Sequence, residues 1–343
     1  MRAVGYAASP PDKSVDHLVD LDLPRPRPAG RDILVRVEAV SVNPVDTKQR
    51  GPVADPARIP RVLGFDAAGT VEAVGEDATL FRPGDAVFYA GAVDRPGSNQ
   101  EYQLVDERLV ARKPASLDFA DAAALPLTAI TAWETLFDRF SIQPDLSEKG
   151  TLLVIGAAGG VGSIATQLAR ELTGLTVVGT ASREETRAFA LDHGCHHVVD
   201  HAQPMAPQIE ALGLGPVDYV FGVTQTPSHM ADIGAMIRPF GHLCVIDSAD
   251  LDLAPIRTKS VSLHFEYMFT RPVFQTADMI EQHRLLAEVS RLVDAGRIRT
   301  TRTRTLRPIS AETVREAHRL VKTGRTLGKT VIAGWPAARE GAS

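Results

Sequence analysis

The 343-residue chain is 44% hydrophobic and 23% charged, a balance that supports a packed core and excludes broad disorder, and at about 150 residues per domain it predicts roughly two domains. A net charge of −5 argues against nucleic acid as the main partner, because phosphate binding wants a basic face. Two cysteines, Cys195 and Cys244, cannot build a disulfide framework or a four-cysteine zinc site, and with no ~20-residue apolar run and no signal-peptide pattern at the N-terminus a cytoplasmic protein without membrane contact is expected.

The first third reads as β-rich. In "DILVRVEAV", Ile33, Val35, Val37 and Ala39 share one face while Arg36 and Glu38 take the other, the period of a half-buried strand. "GTVEAVG", "GDAVFY" and "EYQLVDERLVARKP" continue the pattern between turn signals such as "RPGD" and "DRPGS", which predicts a compact barrel or sandwich. Near residue 120 the character changes. "DFADAAALPLTAITAWETLF" reads as helix, and from 151 strands such as "TLLVI", "TVVGTA", "VDYVFGV" and "VSLHFEYMF" alternate with helices. That alternation predicts an α/β fold with a parallel, doubly wound sheet. Two further helices, "ADMIEQHRLLAEVSRLVDAG" and "SAETVREAHRLVKTG", and a short strand, "GKTVIA", follow.

The segment "TLLVIGAAGGVGSIATQLAR" places a glycine-rich loop between a buried strand and an amphipathic helix. Val161, Ile164, Ala165, Leu168, Ala169 and Leu172 keep helical spacing. Gly159, Gly160, Val161 and Gly162 therefore form a candidate dinucleotide loop. Gly159 lets a pyrophosphate approach the backbone, Gly162 lets the helix pack closely, and the helix N-terminus offers free N–H groups. Ala157 stands at the first glycine position of the usual fingerprint. An acid that binds the ribose 2′-hydroxyl of NAD is expected about 20 residues on, yet Ser182 and Arg183 stand there. A hydroxyl and a guanidinium suit a 2′-phosphate, so the cofactor is read as NADPH, with Glu184 and Glu185 assigned to a helix start. "HGCHHVVDH" holds four histidines and a cysteine, but its side chains alternate between opposite faces and match no common zinc spacing.

"SVNPVDTKQRG", "LGFDAAGTVEAVG", "FRPGDAVF", "LPLTAITAWETL", "GAAGGVG" and "GRTLGKTVI" together resemble the medium-chain dehydrogenase/reductase superfamily over nearly the whole chain, and within it the zinc-independent, zeta-crystallin-like quinone oxidoreductases. The resemblance implies a GroES-like catalytic domain from residues 1–127 and 271–343, a Rossmann domain over 128–270, and a homodimer. At the positions of the relatives' zinc ligands the chain has Asn43, Phe65 and, roughly, Leu127, with Asp66 replacing a glutamate. Phe and Leu cannot ligate zinc, so no metal is expected. The activity implied is hydride transfer from NADPH to a quinone or α,β-unsaturated carbonyl. An NADPH-binding structural or regulatory protein is the alternative, and a zinc alcohol dehydrogenase is disfavoured. Asn43 and Asp46 match the family's loop beside the nicotinamide, with Asp46 either a structural anchor or a catalytic group. Lys48 and Tyr89 are candidate proton donors, beside solvent. The resemblance implies Thr131 and Phe269 at the nicotinamide, with Met268 beside the ring or the substrate, and Lys329 near the cleft as a further cofactor-binding residue.

Overall fold

The computed structural model describes residues 1–247 and 250–337. The chain divides into two compact units, one of Met1–Leu127 with Phe269–Ser343 and one of Thr128–Met268. The second junction falls after Met268, where the sequence reading placed it after residue 270. The Phe269 ring explains the difference, since it packs against Phe65 of the first unit at 4.7 Å between centroids.

The first segment carries β1 (Arg2–Tyr6), β2 (Val19–Asp22), β3 (Asp32–Val42) and β4 (Arg61–Val62). It continues with β5 (Asp66–Val74), β6 (Ala86–Tyr89), β7 (Tyr102–Asp106) and β8 (Val110–Arg112). The second unit holds β9 (Thr151–Ile155), β10 (Thr176–Thr180), β11 (His197–Val199), β12 (Val217–Gly222), β13 (Ile237–Val245) and β14 (Ser262–Phe265). The last segment returns with β15 (Arg302–Leu306) and β16 (Lys329–Ala333).

In the first unit, β16 pairs in antiparallel fashion with β3, and β3 in turn with both β5 and β7. The two chain ends thus share one sheet. Strand β3 lies in the middle of that sheet, and so it departs from the clean alternation its sequence predicts. Ile33, Val35 and Val37 are buried as expected, but Leu34 and Val40 on the other face are buried as well. A smaller sheet, ordered β2-β1-β4, completes this unit.

The second unit is one sheet ordered β11-β10-β9-β12-β13-β14, every pair of it parallel. Counted within the unit this is the order 3-2-1-4-5-6 of the Rossmann fold. All five residues of β9 are buried, as a strand covered by helices on both faces must be. The Ala-rich stretch read as one helix is broken into Phe119–Ala123 and Pro126–Trp133, because Pro126 lacks the N–H a continuing helix needs. A π-helical stretch, Glu134–Arg139, follows. No helix among the described residues is long and apolar enough to cross a membrane.

Candidate functional site

The second unit concentrates its binding features at the carboxyl ends of its strands, where open parallel sheets take their ligands. The chain leaves β9 through Gly156, whose φ of +90° is a left-handed conformation open to glycine. The tight turn therefore belongs to Gly156, one residue before Ala157, where the fingerprint would put it. The clue in the sequence was a glycine directly ending an apolar strand. The Gly156 N–H donates to Thr180 Oγ1 at 3.0 Å, which ties the loop to the tip of β10. Gly159 then precedes the helix Gly160–Leu172 in extended conformation. A Cβ at Gly162 would lie 2.3 Å from the Gly156 carbonyl oxygen and 2.7 Å from Ala157 Cα, so only glycine lets this helix approach so closely. A Cβ at Gly159 would meet only one atom, at 3.5 Å. The loop thus combines a closed helix contact with an open backbone, the cradle that a pyrophosphate requires.

At the tip of β10, Ser182 and Arg183 are both exposed. Arg183 immediately precedes the helix Glu184–Asp192, and its N–H donates to Thr186 Oγ1 at 3.2 Å. Glu184 and Glu185 lie in the first turn of that helix, where carboxylates favour the helix dipole. One neighbour escaped the sequence reading. His201 follows β11, its Nδ1 lies 3.2 Å from Thr180 Oγ1, and its ring stands 6.1 Å from that of His229. Its near neighbour His196 points elsewhere and accepts the Val177 N–H at 2.9 Å. Burial pushes the Cys195 thiol up to about 12. Thr131 is buried in the helix Pro126–Trp133, and Met268 is buried at the unit's end.

The first unit carries a buried polar cluster assembled across three strands. Pairing of β3 with β5 sets Ser41 opposite Asp66, and pairing of β16 with β3 sets Thr330 opposite Val42, which brings Lys329 beside Asn43. Asp66 Oδ2 accepts from Ser41 Oγ at 2.7 Å, Asn43 Nδ2 at 2.8 Å and Lys329 Nζ at 3.0 Å. Its Oδ1 accepts the Leu127 N–H at 2.7 Å. Lys329 also donates to Asn43 Oδ1 and to the Val42 carbonyl. Asp66 and Lys329 are 0% and 3% exposed, so the ion pair is fully desolvated and each partner depends on the other.

Asn43 opens the short helix Pro44–Lys48, and its N–H donates to Asp46 Oδ2 at 2.6 Å. The second Asp46 oxygen is buried and has no hydrogen-bond partner. Burial pushes the Asp46 carboxyl up to about 7, against the opposing pull of the Asn43 N–H and Lys329. Lys329 is thus an internal counterion in this structure. The two expected proton donors lie in different settings. Lys48 is exposed on the last turn of its helix. Tyr89 is a core residue: it is 0% exposed, its hydroxyl donates to Gln103 Oε1 at 2.9 Å, and burial raises its pKa further. A phenol held this way is a poorer acid than one in water, which corrects its expected placement. Phe269 is likewise buried, against Phe65.

These positions do not suit zinc. Phe65 offers a ring and Leu127 an aliphatic chain; Asn43 and Asp66 are already bonded to an ammonium. A second cation would have to displace Lys329, and three N, S or O ligands are lacking. Among the described residues no group of three or more His, Cys, Asp or Glu side chains is placed to hold a metal ion.

Residues 29–115 match the alcohol dehydrogenase GroES-like domain and residues 193–332 the zinc-binding dehydrogenase family. The chain is 44% identical over 312 residues to the zinc-type alcohol dehydrogenase-like protein SAS2087 of Staphylococcus aureus (strain MSSA476), covering 90% of this chain and 92% of that protein. It is 37% identical over 183 residues to human quinone oxidoreductase, which covers 53% of this chain and 54% of that protein. A crystal structure from Rhizobium etli CFN 42, whose name assigns it provisionally to the zinc-dependent alcohol dehydrogenases, superposes with a TM-score of 0.93 at 53% identity, covering 98% of both chains.

Proposed function

We propose that this chain, which belongs to the medium-chain dehydrogenase/reductase superfamily, is a zinc-independent, NADPH-dependent reductase of quinones or α,β-unsaturated carbonyls. The observation that carries the reading is the Lys329–Asp66–Asn43 cluster. It puts a fixed ammonium among the residues that replace the relatives' metal ligands. A site without a Lewis acid suits acceptors that are already electron-poor, because these need less polarisation than a simple ketone or aldehyde.

When bound, the dinucleotide supplies a hydride. The chain's own residues would do the rest. The Gly156–Gly162 loop and the helix start at Gly160 would hold the pyrophosphate. Ser182, Arg183 and His201 supply donors for a 2′-phosphate, with no carboxylate at Ser182 or Arg183 to repel it. Asp46 holds a proton near neutral pH, and Lys329 balances the charge of Asp66. Quinone reduction to the hydroquinone takes up one hydride and one proton, so a proton store and solvent are both useful here. The family resemblance, together with the place of β14 at the sheet edge, also supports pairing of two copies along β14.

The test is oxidation of NADPH and of NADH by an ortho-quinone, with and without a chelator. Rapid oxidation of NADPH, slow oxidation of NADH and indifference to the chelator are expected. Tight NADPH binding without turnover of any quinone or enone would replace the reductase with a binding protein. Loss of activity in chelator would overturn the zinc-free reading.

A further inference from the structure

The first unit has a cleft of about 220 Å³ that Leu63, Gly64 and Phe65 help to line, next to the buried Asp66. Arg58, Arg61, Arg95 and Asp94 also line it. Their charges are not evenly matched. Arg95 is held by Asp32 through two hydrogen bonds of 2.8 and 2.7 Å, and Asp106 and Asp94 add to the negative field around it. Arg58 and Arg61 form no ion pair among the described residues. Arg58 reaches only the Val93 carbonyl, at 3.4 Å, and Arg61 only Gln49 Oε1, at 3.3 Å. Burial lowers the Arg61 pKa, and the like charge of Arg58 lowers it further, so the two guanidinium groups feel each other. A third, Arg50, is buried; burial raises the pKa of the Tyr6 hydroxyl, and the charges of Arg50 and Arg61 both act against that rise. Two neighbouring guanidinium groups with spare donors, one of them half-buried, are an arrangement that an oxyanion would relieve.

We propose that this cleft binds an oxyanion group of the electron acceptor through Arg58 and Arg61, so that the preferred acceptors are quinones or enones bearing a carboxylate, sulfonate or phosphate. The acceptor half of this inference rests on the reductase reading, whereas the anion site stands independently of it. The selectivity gained by two charge-assisted contacts falls with ionic strength, as screening of a partly exposed site requires.

The experiment compares 1,2-naphthoquinone with 1,2-naphthoquinone-4-sulfonate as acceptors, for the wild type and the Arg58→Gln/Arg61→Gln double variant. The readout is the ratio of kcat/KM for the sulfonate to that for the neutral quinone. Differences in intrinsic reactivity cancel when this ratio is compared between proteins. A fall of at least tenfold in the double variant, and a decline of the wild-type ratio with added salt, are expected. An unchanged ratio overturns the proposal. In parallel, calorimetry measures binding of 2-naphthalenesulfonate, which needs no turnover. Binding that weakens at least tenfold in the variant supports the anion site even if no quinone is reduced, in which case only the reductase reading fails. Equal binding by both proteins removes the site even if quinones are turned over. Should the double variant unfold, the exposed Arg58→Gln variant alone carries the same comparison, with a threefold change as the threshold.

Discussion

The two units build their candidate sites in opposite ways. The Thr128–Met268 unit uses backbone: a left-handed glycine, an uncrowded extended Gly159 and a helix start, all within residues 156–162. The unit formed by both chain ends uses side chains from β3, β5 and β16, with Lys329 meeting Asp66 across 263 positions of sequence. A backbone site tolerates changes of side chain but no added Cβ where the chain is closest. A side-chain site tolerates local shape changes but no unmatched charge. Substitutions at each should therefore fail for different reasons.

The largest effect is expected at Gly162. Its Cβ would fall 2.3 Å from a backbone oxygen, and backbone cannot step aside as a flexible side chain does. Gly162→Val should reduce NADPH affinity more than a hundredfold, read by nucleotide fluorescence titration, with far-UV circular dichroism reporting whether the fold survives. Intact binding would show that the helix does not need this close approach. Next comes Lys329→Met, which leaves Asp66 as a buried, unpaired charge and should cost about 3–5 kcal/mol in urea unfolding. Adding Asp66→Asn should return a large part of that loss. Additive losses in the double variant would mean that the pair is not coupled.

Asp46 gives a pH signature of similar size. Its folded pKa of about 7 lies above its ordinary 3.8, with Lys329 and Asp66 as the charged groups facing it. The folded protein therefore binds the proton more tightly. The stability this contributes is complete below pH ~3.8 and is lost as pH rises through about 7, by up to ~4 kcal/mol. Asp46→Asn should flatten the fall in unfolding free energy between pH 4 and 7.5. An identical slope in wild type and variant would assign that titration to other groups. The smallest of the four changes is expected at the exposed Arg183. Arg183→Ala should lower the preference for NADPH over NADH about tenfold, the size of one charge-assisted hydrogen bond, measured as a ratio of dissociation constants. An unchanged ratio would take the residue out of 2′-phosphate recognition.

Much of the Rossmann unit is legible in the sequence, because its signals are local. An apolar strand, a glycine turn and a helix of 3.6 periodicity follow one another within about 20 residues, and each is fixed by its own chemistry. The finer assignment slipped where two neighbours compete for one role: Gly156, not the position of Ala157, makes the left-handed turn. His201 stayed hidden because its meeting with Thr180 joins the tips of two parallel strands, a contact no spacing rule contains. In the other unit, Tyr89 ended a strand and invited a role as donor. Pairing of β6 with both β5 and β8 places it within the core instead. The family resemblance placed Lys329 near the cleft as a cofactor-binding residue, whereas its ion pair with Asp66 emerges only when β16 is registered against β3.

The sequence by itself determined the elements, the doubly wound sheet and the glycine loop, since hydrophobic period, turn chemistry and helix starts are properties of neighbours in the chain. It also determined that Phe65 and Leu127 cannot bind zinc, since that follows from side-chain composition. Only the tertiary structure decided which groups meet at Asp66. The burial that raises Asp46, the ion pair of Asp66 with Lys329, and the unmatched charge of Arg58 and Arg61 all depend on distances between groups far apart in sequence. Desolvation and Coulomb energies are set by those distances and by solvent access, and a linear order of residues specifies neither.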